Sequence, residues 1–171
     1  MSLKNFFEFN LESLKLFLNK DLEIEQKKVS MRSKQFWQSV YKKGSFEINN
    51  LTTFPLELRS KLSKLISLKK PKILKTQTSS DGTIKWLIKL FDGNEVECVY
   101  IPEKTRATLC ISSQVGCTLN CRFCHTGTQR LVKNLSFAEI VNQVMIAKEQ
   151  LKDWNEQKKI TNIVLMGMGE P

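Results

Sequence analysis

Three of the five cysteines fall in one short stretch, Cys117-Thr-Leu-Asn-Cys121-Arg-Phe-Cys124, a C-x3-C-x2-C spacing. Two close spacings let three thiolates from a single loop converge on a small inorganic centre. A [4Fe–4S] cubane normally takes four cysteines, so a set of three leaves one iron open to a substrate or cofactor. Phe123 would shield such a cluster, and Gly116 would relieve crowding where the chain enters the loop. Zinc bound by Cys117, Cys121, Cys124 and His125 is the competing reading. Adjacent ligands at 124 and 125 would strain a tetrahedral site, and no second pair of ligands follows. Three reduced thiols without a metal are the third reading.

The elements that must carry this loop are legible from the pattern. Phe7, Leu11, Leu14 and Leu18 share a helical face. Phe36, Trp37, Val40 and Tyr41 form a second apolar cluster, with Ser30 or Ser33 as its cap. Pro55 opens a third helix bearing Leu56, Leu58, Leu62, Leu65 and Ile66. These aromatics suit a core better than a base-stacking platform. After Pro71 the period shortens. Lys72–Thr78, Thr83–Phe91 and Glu95–Ile101 read as a three-stranded β-meander, turned by Ser80-Asp81-Gly82 and Asp92-Gly93-Asn94. A fourth strand, Ala107–Ser112, enters the cysteine loop at residues 114–134. Ser136 and Glu139 then form a capping box for a helix with Ile140, Val141, Val144, Met145 and Ala147 on one stripe. Ile160–Met166 suits a buried parallel strand, ending in Gly167-Met168-Gly169-Glu170-Pro171.

Composition narrows the setting. With 41% apolar and 26% charged residues over 171, the chain can build a packed core. No stretch approaches the roughly 18 apolar residues of a membrane span, and the first residues lack a secretory pattern. The expected location is the cytoplasm, where thiols stay reduced. Net charge is +10. Arg59, Lys61, Lys64, Lys69, Lys70, Lys72 and Lys75 form a run without an acid. Lys104, Arg106, Arg122, Arg130 and Lys133 form another around the cysteine loop. Such fields favour nucleic acid, since each phosphate contact releases a counterion.

The segment from Arg106 to Gln129, including Cys110-Ile-Ser-Ser-Gln-Val-Gly-Cys117, closely resembles the radical-SAM adenine C2-methyltransferases of ribosomal and transfer RNA. Met166-Gly-Met-Gly-Glu-Pro171, Ser79-Ser-Asp-Gly-Thr-Ile-Lys-Trp86 and Val99-Tyr-Ile-Pro-Glu103 are similar to further motifs of that family. The likeness implies the fold. An α+β N-terminal part would comprise a helical, RNA-binding accessory domain (1–70) and an antiparallel β-meander (71–103). The start of an α/β radical-SAM partial (β/α)6 barrel (104–171) would follow. Because the chain stops after the second barrel strand, it reads as an N-terminal fragment, expected to be inactive alone.

The same resemblance implies site residues. Cys117, Cys121 and Cys124 would hold one [4Fe–4S] cluster, whose open iron chelates S-adenosyl-L-methionine. Gly169 and Glu170 would contact that nucleotide. Family members methylate a cysteine with one S-adenosylmethionine and generate a radical on its methyl group with a second. That methyl adds to C2 of adenine, an electron-poor carbon that polar methyl transfer does not reach. Cys110 matches the cysteine that resolves the RNA adduct through a transient disulfide, and Glu97 the acceptor of the C2 proton. Alternation puts Glu97 on a face with Val99 and Ile101, which suggests an inward side chain. No residue matches the methyl-carrying cysteine, and Cys98 reads as an incidental strand residue. His125 suits a local hydrogen bond. Expected partners are 23S ribosomal RNA, transfer RNA and a flavodoxin-like electron donor, with no membrane. A C8-methylating sister enzyme and a non-catalytic, zinc-stabilised RNA-binding module are the alternatives.

Overall fold

Glycine-bearing turns set the register of the sheet that carries the cysteine loop. The computed structural model describes residues 3–119, 121–154 and 159–170. Asn120 of the cysteine loop and Pro171 of the terminal motif lie outside the described residues. The chain divides into two compact units, Met1–Lys69 and Lys70–Pro171.

In the first unit a two-residue strand, β1 (Lys4–Asn5), pairs in parallel with β2 (Ile66–Ser67). Helix α1 (Leu11–Lys20) starts at a capping box of Asn10 and Ser13. Phe7 precedes it in a separate 3-10 turn, Phe6–Glu8. Helix α2 (Gln26–Tyr41) begins before either serine expected to cap it, at Glu25. Ser33 is instead buried inside the helix, its hydroxyl donating to the Ser30 carbonyl at 3.0 Å. The first turn, Gln26-Lys27-Lys28, is polar and carries no periodic signal, so apolar periodicity alone places the start too late. Helix α3 (Leu56–Ser63) follows Pro55, but Leu65 and Ile66 leave it. Pairing of Ile66 with Lys4 overrides local helical preference.

The aromatics fill this unit's interior. Phe6, Phe7, Phe36 and Phe54 are buried, with Phe6 and Phe36 ring centroids 4.6 Å apart. They are core, as expected.

The second unit is a five-stranded mixed sheet in the order β3-β4-β5-β6-β9. Strands β3 (Lys72–Thr78), β4 (Ile84–Lys89), β5 (Glu95–Pro102) and β6 (Ala107–Cys110) are successively antiparallel. Gly82 and Gly93 sit at φ +85° and +91° in the two hairpin turns, where Asp81 and Asp92 accept from the backbone two residues on. Two short strands, β7 (Gln114–Val115) and β8 (Lys133–Asn134), pair antiparallel and close the neck of the cysteine loop. Helix α4 (Phe137–Leu151) starts at the expected Ser136/Glu139 capping box. The chain returns through Asp153, a buried carboxylate accepting from the Lys159 and Ile160 amides at 2.8 and 3.2 Å. Strand β9 (Asn162–Val164) then pairs in parallel with β6.

One face of the sheet, with Trp86, Ile88, Val96, Cys98, Tyr100 and Leu109, packs with Ile146 and Ala147 of α4 into a single core. The terminal apolar run does not form the expected buried strand. Ile163 of β9, an edge strand of the sheet, remains 52% exposed, and Leu165 just beyond it 44%. Among the described residues no helix is long and apolar enough to cross a membrane.

Candidate functional site

The cysteine loop is pinned at its neck by backbone contact. Gly116 has φ +76°, and a Cβ there would stand 2.1 Å from the Arg130 carbonyl oxygen. Only glycine allows the two limbs to approach so closely, as the sequence suggested. Within the loop the Cys124 amide donates to the Cys121 carbonyl at 3.1 Å, and the Gly127 amide to the Cys124 carbonyl at 3.0 Å. Gly127 was not singled out from sequence. It is buried, and a Cβ on it would lie 2.7 Å from the Cys121 carbonyl oxygen. The signal available was simply a glycine three residues past the last cysteine.

Cys117, Cys121 and Cys124 are all free and half-buried. Among the described residues, no three side chains of metal-binding type stand grouped as a metal site. The donor set nevertheless suits an iron–sulfur cluster: three soft thiols share one loop, and the Leu119 amide donates to Cys117 Sγ at 3.4 Å. Phe123 is 94% exposed. His125 is exposed, and it is its carbonyl that accepts locally, from the Thr128 hydroxyl at 2.7 Å.

Glu97 does not point into the core. Val96, Cys98 and Tyr100 take the buried face of β5, leaving Glu97 half-exposed on the other. Its carboxylate pairs with Lys85 at 3.0 Å. The strand is apolar on both faces, so alternation could not say which face α4 covers. Val99 stands opposite Cys110 across the β5–β6 ladder. Glu97 and Cys110 therefore belong to the same face, the one turned away from α4. Burial pushes the Cys110 thiol upward, opposed by the Met166 amide. Cys98, on the packed face, is pushed up to about 12, by burial first and by Cys110 second. All five cysteines are free, so the transient disulfide expected of Cys110 is not present.

Gly169 and Glu170 lie in a loop tied to the entry of the cysteine loop. The Ser113 and Gln114 amides both donate to the Met168 carbonyl, at 2.9 and 3.1 Å. The Glu170 amide donates to Gln114 Oε1 at 3.2 Å, and Gln114 Nε2 donates to Asn134 Oδ1 at 2.8 Å. Gly169 has φ +95°, and a Cβ on it would meet the Gln114 side chain at 2.4 Å. Packing alone thus demands that glycine. Hollows of about 360, 350 and 390 Å³ occur in the first unit, lined by residues such as Leu22, Leu68 and Leu16, and contain none of these side chains.

The fold that carries these two loops has a counterpart in a radical SAM methyltransferase. The crystal structure of a radical SAM methyltransferase from Sphaerobacter thermophilus matches with a TM-score of 0.84 at 32% identity, covering 98% of this chain and 48% of that one. Curated homologues carry a narrower name. The dual-specificity RNA methyltransferase RlmN of Rhodopseudomonas palustris (strain BisB5) is 50% identical over 153 residues, 82% of this chain and 38% of the relative. Its namesake from Bradyrhizobium sp. (strain ORS 278) is 47% identical over 163 residues, 88% of this chain and 40% of the relative. The chain is a homologue of the RlmN methyltransferases and spans about two fifths of their length. No protein-family model matches it.

Proposed function

We propose that this chain is part of a radical-SAM methyltransferase acting at C2 of an adenine in 23S ribosomal RNA and in transfer RNA. The observation that carries the reading is the pairing of two loops. The three-thiol loop and the glycine loop share backbone hydrogen bonds through Ser113, Gln114 and Met168, so what binds one lies beside the other. Cys117, Cys121 and Cys124 would hold a [4Fe–4S] cluster, which when bound supplies the electron that cleaves S-adenosylmethionine. Gly169 offers close backbone approach to that nucleotide, and the Glu170 carboxylate accepts from its ammonium group.

Glu97 and Cys110, on one face of the sheet, act on the RNA adduct. Glu97 accepts the C2 proton as the radical adduct passes its unpaired electron to the one-electron carrier, which restores the aromatic ring. The Cys110 sulfur, giving up its thiol proton, then bonds to the sulfur of the methyl-carrying cysteine. The carbon–sulfur bond breaks as its electron pair moves to the carbon, which takes up a proton and becomes the methyl group. Burial shifts the Cys110 thiol toward its neutral form, the less reactive one. Exposed Lys64 and Lys69 of the first unit, and Lys72 and Lys75 of the second, supply cationic contacts for RNA phosphate, and a flavodoxin-like protein the electron.

Anaerobic reconstitution with iron and sulfide tests the reading. Broad visible absorbance that is lost in Cys117→Ala, with methyl mapped to C2 of adenine by nuclease digestion and mass spectrometry in the full-length protein, supports it. Stoichiometric colourless zinc overturns it in favour of an RNA-binding module, and methyl at C8 in favour of the sister activity.

A further inference from the structure

We propose that Ser112 and Gln143 form a buried positioning clamp that sets the glycine loop against the strand feeding the cysteine loop, and so fixes how S-adenosylmethionine sits between them. Ser112 is completely buried, and both capacities of its hydroxyl are used. Ser112 Oγ donates to the Glu97 carbonyl at 2.6 Å and accepts from the Met168 amide at 2.9 Å. One oxygen therefore joins β5, the end of β6 and the glycine loop.

Gln143 holds that same residue from the helix side. Its Oε1 accepts from the Ser112 amide at 2.8 Å, and its Nε2 donates to the Ser112 carbonyl at 2.9 Å. A glutamine with no exposure on a packed helix face carries a desolvation cost that only such pairing offsets. A leucine would fill the space, whereas the amide holds both backbone polar groups of one residue, in the two peptide units that flank its Cα. The fit extends to the glycine loop. The Gly167 amide donates to the Ile111 carbonyl at 3.0 Å. A Cβ at Gly167 would lie 2.7 Å from Ser112 Oγ and 2.8 Å from the Ile111 backbone.

Ser112 lies five residues before Cys117, and the intervening chain is held by the β7–β8 pair. Displacing Met168 from Ser112 thus alters the spacing between the two loops without removing any group that touches the nucleotide. Neither Ser112 nor Gln143 reacts; both act through the residues they hold. The inference rests on the reading of the two loops given under Proposed function.

The test is made on the full-length protein with Ser112→Ala and, independently, Gln143→Leu. Hydrogen exchange followed by mass spectrometry is expected to show Gly167–Gly169 exchanging at least tenfold faster in either variant, with α4 still protected. In the reconstituted enzyme the KM for S-adenosylmethionine is expected to rise about tenfold, while the KM for RNA and the iron content stay within twofold of native. Exchange within twofold of native, or KM values for nucleotide and RNA rising together, overturns the clamp. Cys117→Ala is run alongside. If it leaves S-adenosylmethionine cleavage intact, the reading of the cysteine loop fails, while the exchange data still decide whether Ser112 holds the glycine loop.

Discussion

Glu97 and Cys110 project from the same face of one sheet, because Val99 stands opposite Cys110 and Glu97 lies two residues from Val99 along β5. Cys98, one residue from Glu97, projects from the opposite face and is buried under α4. The two cysteines therefore differ in access. Iodoacetamide at pH 8 is expected to label Cys110 slowly and faster as pH rises, and to leave Cys98 unlabelled until the protein unfolds. Peptide mapping of the labelled protein checks this, and equal labelling of both would contradict the assignment of faces.

The Cys98 thiol also predicts an alkaline limit. Its folded pKa is raised from 9.0 to about 12, so its contribution to stability is complete below pH 9 and is lost as pH climbs through 12. The shift corresponds to at most about 4 kcal/mol. Urea unfolding of the second unit between pH 8 and 11 should show the decline, and Cys98→Ala should flatten it at the cost of a small cavity.

An acid limit follows from the cation that anchors the loop neck. Lys133 Nζ pairs with Glu139 at 2.7 Å and with Asp92. The hydrogen bond from Lys133 holds the Asp92 carboxyl down to about 2, against an ordinary 3.8. This contribution is present above pH 3.8 and is lost as pH falls toward 2. Both groups are partly solvated, so Lys133→Met should cost only about 1 kcal/mol at pH 7. It should also weaken the acid dependence of melting below pH 4.

Two glycines of similar backbone conformation should respond differently to alanine. At Gly93 a Cβ meets nothing within 4 Å, so Gly93→Ala carries only the positive-φ strain, about 1 kcal/mol. At Gly116 the same change drives a methyl into the Arg130 carbonyl, and the neck must open, at a cost of about 2–4 kcal/mol. Thermal melts compare the two directly, and Gly116→Ala should in addition lose iron uptake.

Lysines that meet RNA should reveal themselves by salt. If Lys64 and Lys69 each contact a phosphate, replacing both with alanine weakens RNA binding and reduces the slope of log affinity against log salt by roughly 1.4 to 1.8. Fluorescence anisotropy across a salt series measures it. An unchanged slope assigns both to a solvated surface.

Much of this molecule was legible in its residue order wherever the signal is local. The hairpins at Gly82 and Gly93, the Ser136 capping box and the tight approach at Gly116 each depend on a few neighbouring residues, and each forms where the pattern put it. The three-thiol loop was likewise visible as spacing. The start of α2 was not, because a polar first turn gives periodicity nothing to detect, and Ile66 left its helix because its partner Lys4 lies far away in the chain.

Only the tertiary structure decided the faces and the links. Strand β5 carries apolar groups on both sides, so the side under α4 depends on how the helix packs. That packing turned Glu97 outward with Cys110 and buried Cys98. Nothing in the order of residues shows that Ser112, Gln143 and Met168 meet, since hydrogen bonds between segments 31 and 56 residues apart leave no local pattern. Local chemistry chose the turns and caps, and long-range packing chose which of them stand together.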